Sequence, residues 1–229
     1  IGTFLLTLAL IAGTVGCSGG GAPRYPLTIS SGIGGSVTTP GEGAFTYSEG
    51  AVVDLVAVAE EGYYFARWTG DVGTVDDANS VETTITMNDD YSITANFVPD
   101  GVEPVWDWYD LDAVRNNLGG SYLLMNDLDL TTDGYKELAS PTANNGTGWE
   151  PIGAYEDVHP ELAFAGTFDG QGHEIRDLLI DRPEESPVGI FGAIGLAGVV
   201  RNLGLVKANV TGYEVLGSLV GYNLGNVTG

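Results

Sequence analysis

Ile175-Arg176-Asp177-Leu178-Leu179-Ile180 returns 25 residues later as Val200-Arg201-Asn202-Leu203-Gly204-Leu205, apolar on apolar, Arg on Arg and Asn on Asp. A second echo runs beside it: Val188-Gly189-Ile190-Phe191-Gly192 comes back 28 residues on as Leu216-Gly217-Ser218-Leu219-Val220-Gly221. Short β-prone runs punctuated by glycine at such an interval mark a repeat whose single unit cannot bury its own apolar face, so that stacking of neighbours builds the core. The stretch 164–229 therefore predicts the coils of a right-handed parallel β-helix. Ten of the chain's 35 glycines fall between Val188 and Gly229, where corners of successive coils are expected.

Outward from that stretch, composition sets the limits. The chain has 229 residues, enough for two modest units with their own cores. With 31 acidic against 8 basic side chains the net charge is -23, which excludes nucleic acid, whose phosphates need a basic footprint, and disfavours anionic membrane surfaces. The acid is unevenly spread: 28 of the acidic residues lie between Asp54 and Glu185, whereas Val188 to Gly229 holds only Glu214. That distribution reads as a solvated surface that keeps an extracellular protein soluble.

Residues 4–16 form an apolar run of 13 that ends at Cys17, the single cysteine. The run is too short to span a bilayer, which takes about 20 residues, and has the length of the apolar core of a secretory signal. Residues 18–25, beginning Ser18-Gly-Gly-Gly-Ala-Pro23, make a flexible tether. Six β-rich runs follow within 26–98, from Leu27-Thr-Ile-Ser to Tyr91-Ser-Ile-Thr-Ala-Asn-Phe-Val, separated by turn signals such as Thr39-Pro-Gly41. The third, Val52 to Val58, is apolar on both faces and predicts a central strand covered on both sides, with Phe65, Trp68 and Phe97 completing the core. Residues 99–106, bracketed by Pro99 and Pro104, read as a linker. Leu111, Val114, Arg115 and Leu118 then carry helical spacing closed by Gly119-Gly120, a short helix suited to cap the first rung, Ser121 to Leu130. Thr131 to Glu150 reads as a polar loop projecting from a corner.

Three resemblances attach to these residues. The apolar run, small residues, Cys17 and glycine-rich tether resemble a bacterial lipoprotein signal, which implies that Cys17 is lipidated, and Ser18 after it implies the outer membrane where the cell has one. Leu27-Thr-Ile-Ser, Gly35-Ser-Val-Thr, Glu60-Glu-Gly-Tyr-Tyr-Phe-Ala-Arg-Trp-Thr-Gly-Asp71 and Ile93-Thr-Ala-Asn-Phe97 resemble the divergent InlB-type B-repeat of bacterial surface proteins, a small grasp-like β module without catalytic residues. Tyr122-Leu-Leu-Met-Asn-Asp-Leu-Asp-Leu130, Trp149-Glu-Pro-Ile-Gly153, Phe164-Ala-Gly-Thr-Phe-Asp-Gly-Gln-Gly-His-Glu-Ile175, Val188-Gly-Ile-Phe-Gly192 and Gly217-Ser-Leu-Val-Gly-Tyr-Asn223 are similar to the GLUG-repeat region of large bacterial surface proteins, over residues 107–229. Such regions imply adhesin-like proteins, or the part ahead of the protease domain in immunoglobulin-A-cleaving metallopeptidases.

Signals of chemistry are few. His173-Glu174-Ile175-Arg176-Asp177 begins like a zinc-protease motif, but its fifth position is Asp177 and the other histidine, His159, has no companion at ligand spacing. Asp127, Asp129 and Asp133 with Gly134 alternate like a calcium loop, yet the twelfth position from Asp129 is Ser140 where a bidentate Glu is needed. These carboxylates read better as turn formers. Asp169, Glu174 and Asp177 are the acids a carbohydrate-cleaving β-helix would use, with only Arg176 as a nearby base.

The sequence thus points to no enzyme within these residues, no cofactor and no catalytic or metal site. It points to an all-β, lipid-anchored module on the outside of a bacterial cell, a stalk or adhesin that meets glycans or host and matrix proteins through a repeat surface. The alternative is the non-catalytic front of a larger secreted peptidase or polysaccharide-degrading enzyme. The last rung ends uncapped at Gly229, which leads us to expect further chain beyond it.

Overall fold

The computed structural model describes residues 22–156 and 159–229; the apolar run 4–16 and Cys17 lie outside them. Strands dominate, and among the described residues no helix is long and apolar enough to cross a membrane.

The first unit contains β1 (Arg24–Ser31), β2 (Gly35–Thr39), β3 (Gly43–Ser48), β4 (Val52–Ala59), β5 (Tyr63–Gly70), β6 (Glu82–Thr86) and β7 (Tyr91–Pro99). They form two sheets, β3-β1-β7-β5 and β2-β4-β6, with β1 and β7 parallel and the other pairs antiparallel. Alternation decides which side faces in: Leu27 and Ile29 on β1, Val53, Leu55 and Ala57 on β4, and Ile93, Ala95 and Phe97 on β7 join one core around Trp68. The grasp-like module thus takes the form of facing sheets with no helix between them. β4 is central, as its sequence indicates, but it is covered on one side only: Val52 and Val58 are 64% and 47% exposed. β3, absent from the sequence reading, pairs with β1 and turns Phe45 and Tyr47 toward the core.

The second unit opens on β8 (Val102–Val105), followed by α1 (Trp108–Ala113), β9 (Ser121–Leu124), α2 (Tyr135–Leu138), β10 (Thr167–Asp169), β11 (Glu174–Arg176) and β12 (Leu179–Asp181). It continues with β13 (Phe191–Ile194), β14 (Val199–Arg201), β15 (Gly204–Val206), β16 (Asn209–Thr211), β17 (Val220–Asn223) and β18 (Asn226–Thr228). Every named strand pair here is parallel. One sheet runs β18-β14-β10-β9-β8, and the pairs β11-β15, β12-β16 and β13-β17 form further ladders on other sides. A single continuous core lies within, containing Trp108, Trp149, Phe164, Phe168, Ile175, Ile180, Phe191 and Val200.

The expected linker 99–106 is therefore partly strand: β8 pairs along its length with β9. Pro104 is tolerated because β8 is the outermost strand of its sheet, where a missing N–H breaks no ladder. α1 is capped by the Asp107 carboxylate, which accepts from Asp110 N, and it buries Trp108 and Leu111 before a 3₁₀ turn, Val114–Asn116, ends it short of Gly119. Nor does 131–150 project as a polar loop. Ala139, Ser140, Ala143 and Trp149 are buried, and the segment bonds to β12 through Leu179 N to Ala139 O, Trp149 N to Leu179 O and Asp181 N to Thr147 O.

Register separates the two sequence echoes. Val188 meets Leu216 in a parallel bridge, so the second echo is a true vertical register. The first is not: Val200 stacks on Phe168, while Ile175 stacks on Leu205. That echo compares two different sides of the structure, β11-corner-β12 and β14-corner-β15. They look alike because each corner is one residue in the left-handed region, Asp177 at φ 57 and Asn202 at φ 52.

Candidate functional site

Each acidic residue singled out in the sequence now has an address. Leu128 bridges to Ile175, and this sets Asp127 beside the start of β11. There the Asp127 carboxylate accepts from Glu174 N at 2.9 Å and lies 3.2 Å from His173 Nδ1, with Arg176 at 3.5 Å. Glu174 and Arg176 flank buried Ile175 on the outer face of β11 and pair with each other at 2.5 Å. The hydrogen bond from Glu174 N first, then that from His173 and the positive charge of Arg176, hold the Asp127 carboxyl below its ordinary range against the opposing effect of burial. Asp129 is engaged differently: its Oδ1 accepts from Thr131 Oγ1 at 2.7 Å and Thr131 N at 2.8 Å, which lowers its pKa. Asp133, just before Gly134, accepts at its backbone oxygen from Trp108 N at 3.1 Å. The three aspartates thus serve separate local turns, and among the described residues no three His, Cys, Asp or Glu side chains are placed to hold a metal ion.

Asp169 closes a corner. It stands opposite Arg201 in the β10-β14 ladder and accepts from Arg201 Nε at 2.9 Å, Asn202 Nδ2 at 3.0 Å and Gln171 N at 2.9 Å. Its side chain is only 14% exposed. Burial works to raise its pKa, but the hydrogen bonds from Asn202, Gln171 and Arg201 outweigh it and leave the group below the ordinary value. Asp177 lies 3.9 Å from Lys207 across the next corner pair, β11-β15. His159 sits against Glu161 at 2.9 Å. Each acid or base that resembled a catalytic group thus has a charged or hydrogen-bonding neighbour, with Asp127 and Glu174 sharing Arg176, and these contacts tie neighbouring strands and turns together.

The lowered carboxylates carry a pH consequence. A group whose folded pKa is depressed contributes stability that is present above its unfolded value, about 3.9 for Asp, and lost as pH falls through the folded value. Asp127, Asp129 and Asp169 all have this sign. Asp110 has the opposite one: burial raises it, so its contribution weakens as pH rises. Glu161 is lowered as well, though it is exposed, so the lowered carboxylates outnumber the raised one, and the melting temperature of the second unit is expected to fall steadily below about pH 4. The fall should be shallower in Asp169→Asn; an identical pH profile in that variant would contradict the assignment.

Two side chains matter more than the sequence reveals. Arg115, on the helical face by spacing alone, pairs with Asp112 at 2.6 Å, donates to Glu150 O and Pro151 O, and lies over the Trp149 ring at 5.4 Å. Arg67 lies over Trp106 at 5.1 Å, and its buried Nε has no hydrogen-bond partner. Tyr64 donates its hydroxyl to Val102 O at 2.8 Å, while Tyr63 covers Gly34.

Comparison with known proteins agrees with a modular chain. It is 34% identical over 151 residues to halomucin of Haloquadratum walsbyi, covering 63% of this chain and 2% of that protein. It is 38% identical over 120 residues to a protein of Evansella cellulosilytica described as a Gly-rich membrane protein, covering 50% of this chain and 12% of that one. No solved structure matches. Within the chain, residues 25–101, which hold the two facing sheets, match the family of the divergent InlB B-repeat domain.

Proposed function

We propose that the chain is a non-catalytic, surface-displayed module in which the B-repeat unit precedes the opening coils of a parallel β-helix, the two forming a stalk or adhesive face tethered to the membrane by lipid on Cys17. One observation carries this reading above the others: from β8 to β18 the second unit grows by parallel addition of equivalent strands on several sides around one core. That geometry lengthens without changing its cross-section, which suits a spacer. The pairing of each candidate catalytic carboxylate within a corner supports display over catalysis. The kinship with a protein described as a Gly-rich membrane protein supports a membrane association.

In this reading the repeats supply many weak contacts to glycans or to host and matrix proteins, and avidity comes from their number. Palmitate labelling of cells expressing the chain tests the tether. Label is expected on the wild type and absent from Cys17→Ser, and label persisting in the variant would refute the anchor.

A further inference from the structure

The surface at the junction of the two units holds a groove that the repeat reading does not use. On one side lies a cleft of about 400 Å³ bounded by Arg67 and Asn96 of the first unit and by Trp106 and Asn126 of the second. On the other lies a recess of about 580 Å³ bounded by Tyr109, Leu130, Lys136 and Glu137. The two share a wall made of Asp107, Thr132 and Asp133. They are thus neighbouring compartments along one surface, each with an aromatic side chain.

The aromatic rings are held in place. Gly134, at φ 83, has no room for a Cβ, which would come within 3.0 Å of Trp108 Cβ and Tyr109 Cδ2. The Tyr109 ring is thereby packed against the backbone of that turn, and it remains 51% exposed. Trp106 is half-buried, steadied by Arg67 at 5.1 Å from its ring, and its backbone N donates to Asp110. Beside the rings stand polar groups without internal partners. Among the described residues no hydrogen bond or ion pair engages the Asp133 carboxylate or the Lys136 amine, and both residues are exposed.

Fixed rings, flanked by a free carboxylate, an amine and amides, match the two-sided chemistry of a sugar, whose apolar C–H face stacks on an aromatic surface while its hydroxyls take charge-assisted hydrogen bonds. The local charge selects among sugars. Asp107, Asp133 and Glu137 outnumber Arg67 and Lys136 in the groove by one charge, and the protein carries -23 overall, so a polyanionic glycan is repelled chiefly by the field of the whole chain. We infer that the junction groove binds a neutral oligosaccharide of at least two sugar units, one in each compartment beside Trp106 and Tyr109, with Asp133 as the principal hydrogen-bond acceptor between them.

This rests on the adhesive reading and adds to its repeat contacts one defined glycan site at the junction. Affinity electrophoresis of the purified chain in gels containing galactomannan, xyloglucan, mixed-linkage β-glucan, dextran or polygalacturonate provides the test. At least one neutral polymer should retard the protein, polygalacturonate should not, and the apparent affinity should drop at least tenfold in both Tyr109→Ala and Asp133→Ala. Asp133 is exposed and its side chain unpartnered, so its replacement leaves the fold intact, and near-UV circular dichroism verifies the Tyr109 variant. Retardation by no neutral polymer, equal retardation by polygalacturonate, or unchanged affinity in Asp133→Ala would each overturn the groove. None of these results touches the palmitate experiment, and a chain that binds neutral glycan without taking up label would remove the lipid anchor and leave the groove standing.

Discussion

Replacing Trp149 by alanine is expected to lower the stability of residues 102–229 by about 3–5 kcal/mol while that of residues 24–99 is unchanged. Trp149 is fully buried, its indole N–H donates to Ile190 O at 3.1 Å, and its ring packs 5.9 Å from that of Trp108. It also joins elements far apart in the chain. The Arg115 guanidinium rests on it from one side, and its own backbone N donates to Leu179 O on β12. Truncating a buried Trp to Ala costs about 3–5 kcal/mol, and a domain of this size has only about 5–15 kcal/mol in all. The indole hydrogen bond is lost as well, leaving Ile190 O without that donor. The damage should stop at the junction because the two apolar cores share no residue. Calorimetry should therefore show two transitions in the wild type and, in Trp149→Ala, one displaced downward by at least about 10 °C with the other in place. A common shift of both transitions would mean that Tyr64-Val102 and Arg67-Trp106 couple the units into one cooperative body.

How much of this was legible in the sequence depends on which physical signal each feature leaves. Strands that alternate cleanly, such as β1, β6 and β7, declared themselves by period. β3 has the same alternation in Phe45 and Tyr47, but both rings are only partly covered and glycine brackets the run, so it reads as turn. β8 is hidden by Pro104, whose meaning reverses at a sheet edge. The segment 131–150 is hidden by its polarity: apart from Trp149 near its end, its buried side chains are Ala139, Ser140 and Ala143, small residues that carry little hydropathy. The junction groove is illegible in principle, since it depends on Arg67 and Asn96 coming beside Asn126 and Asp133 across two units. The catalytic-looking residues were legible as absences of spacing, and the structure adds the positive reason for each, a corner or ladder partner.

Glycine is where sequence and structure part most instructively, and the contrast gives the last prediction. The concentration of glycine after Val188 suggests left-handed corners, yet the left-handed residues there are Asn202 and Lys207, at φ 52 and 55, as is Asp177 at φ 57 ahead of that stretch. The glycines instead mark close backbone approaches. A Cβ on Gly225 would lie 2.3 Å from Gly198 O and one on Gly192 2.4 Å from Gly153 O. Gly166 is the extreme case, with Gly120 O at 1.9 Å from where its Cβ would stand. Gly166 N and Ala165 N both donate to Leu118 O, and Thr167 N donates to Gly120 O, so the β9 and β10 segments are clamped together at that point. Gly166→Ala must push them apart, and overpacking of this kind costs about 1–3 kcal/mol, with strained hydrogen bonds adding to it; a loss near the upper figure is expected. Lys207→Gly should act in the opposite sense. A lysine in the left-handed region costs about 1–2 kcal/mol, and its contact with Asp177 is long and exposed, worth little. Part of the relief is offset by the greater backbone freedom of glycine in the unfolded chain, so a gain of a few tenths to about 1 kcal/mol is expected. Denaturant unfolding of both variants decides the matter: if alanine at 166 proves harmless while glycine at 207 destabilises, then the glycines of this chain serve the corners after all, and the close-approach account of its packing is wrong.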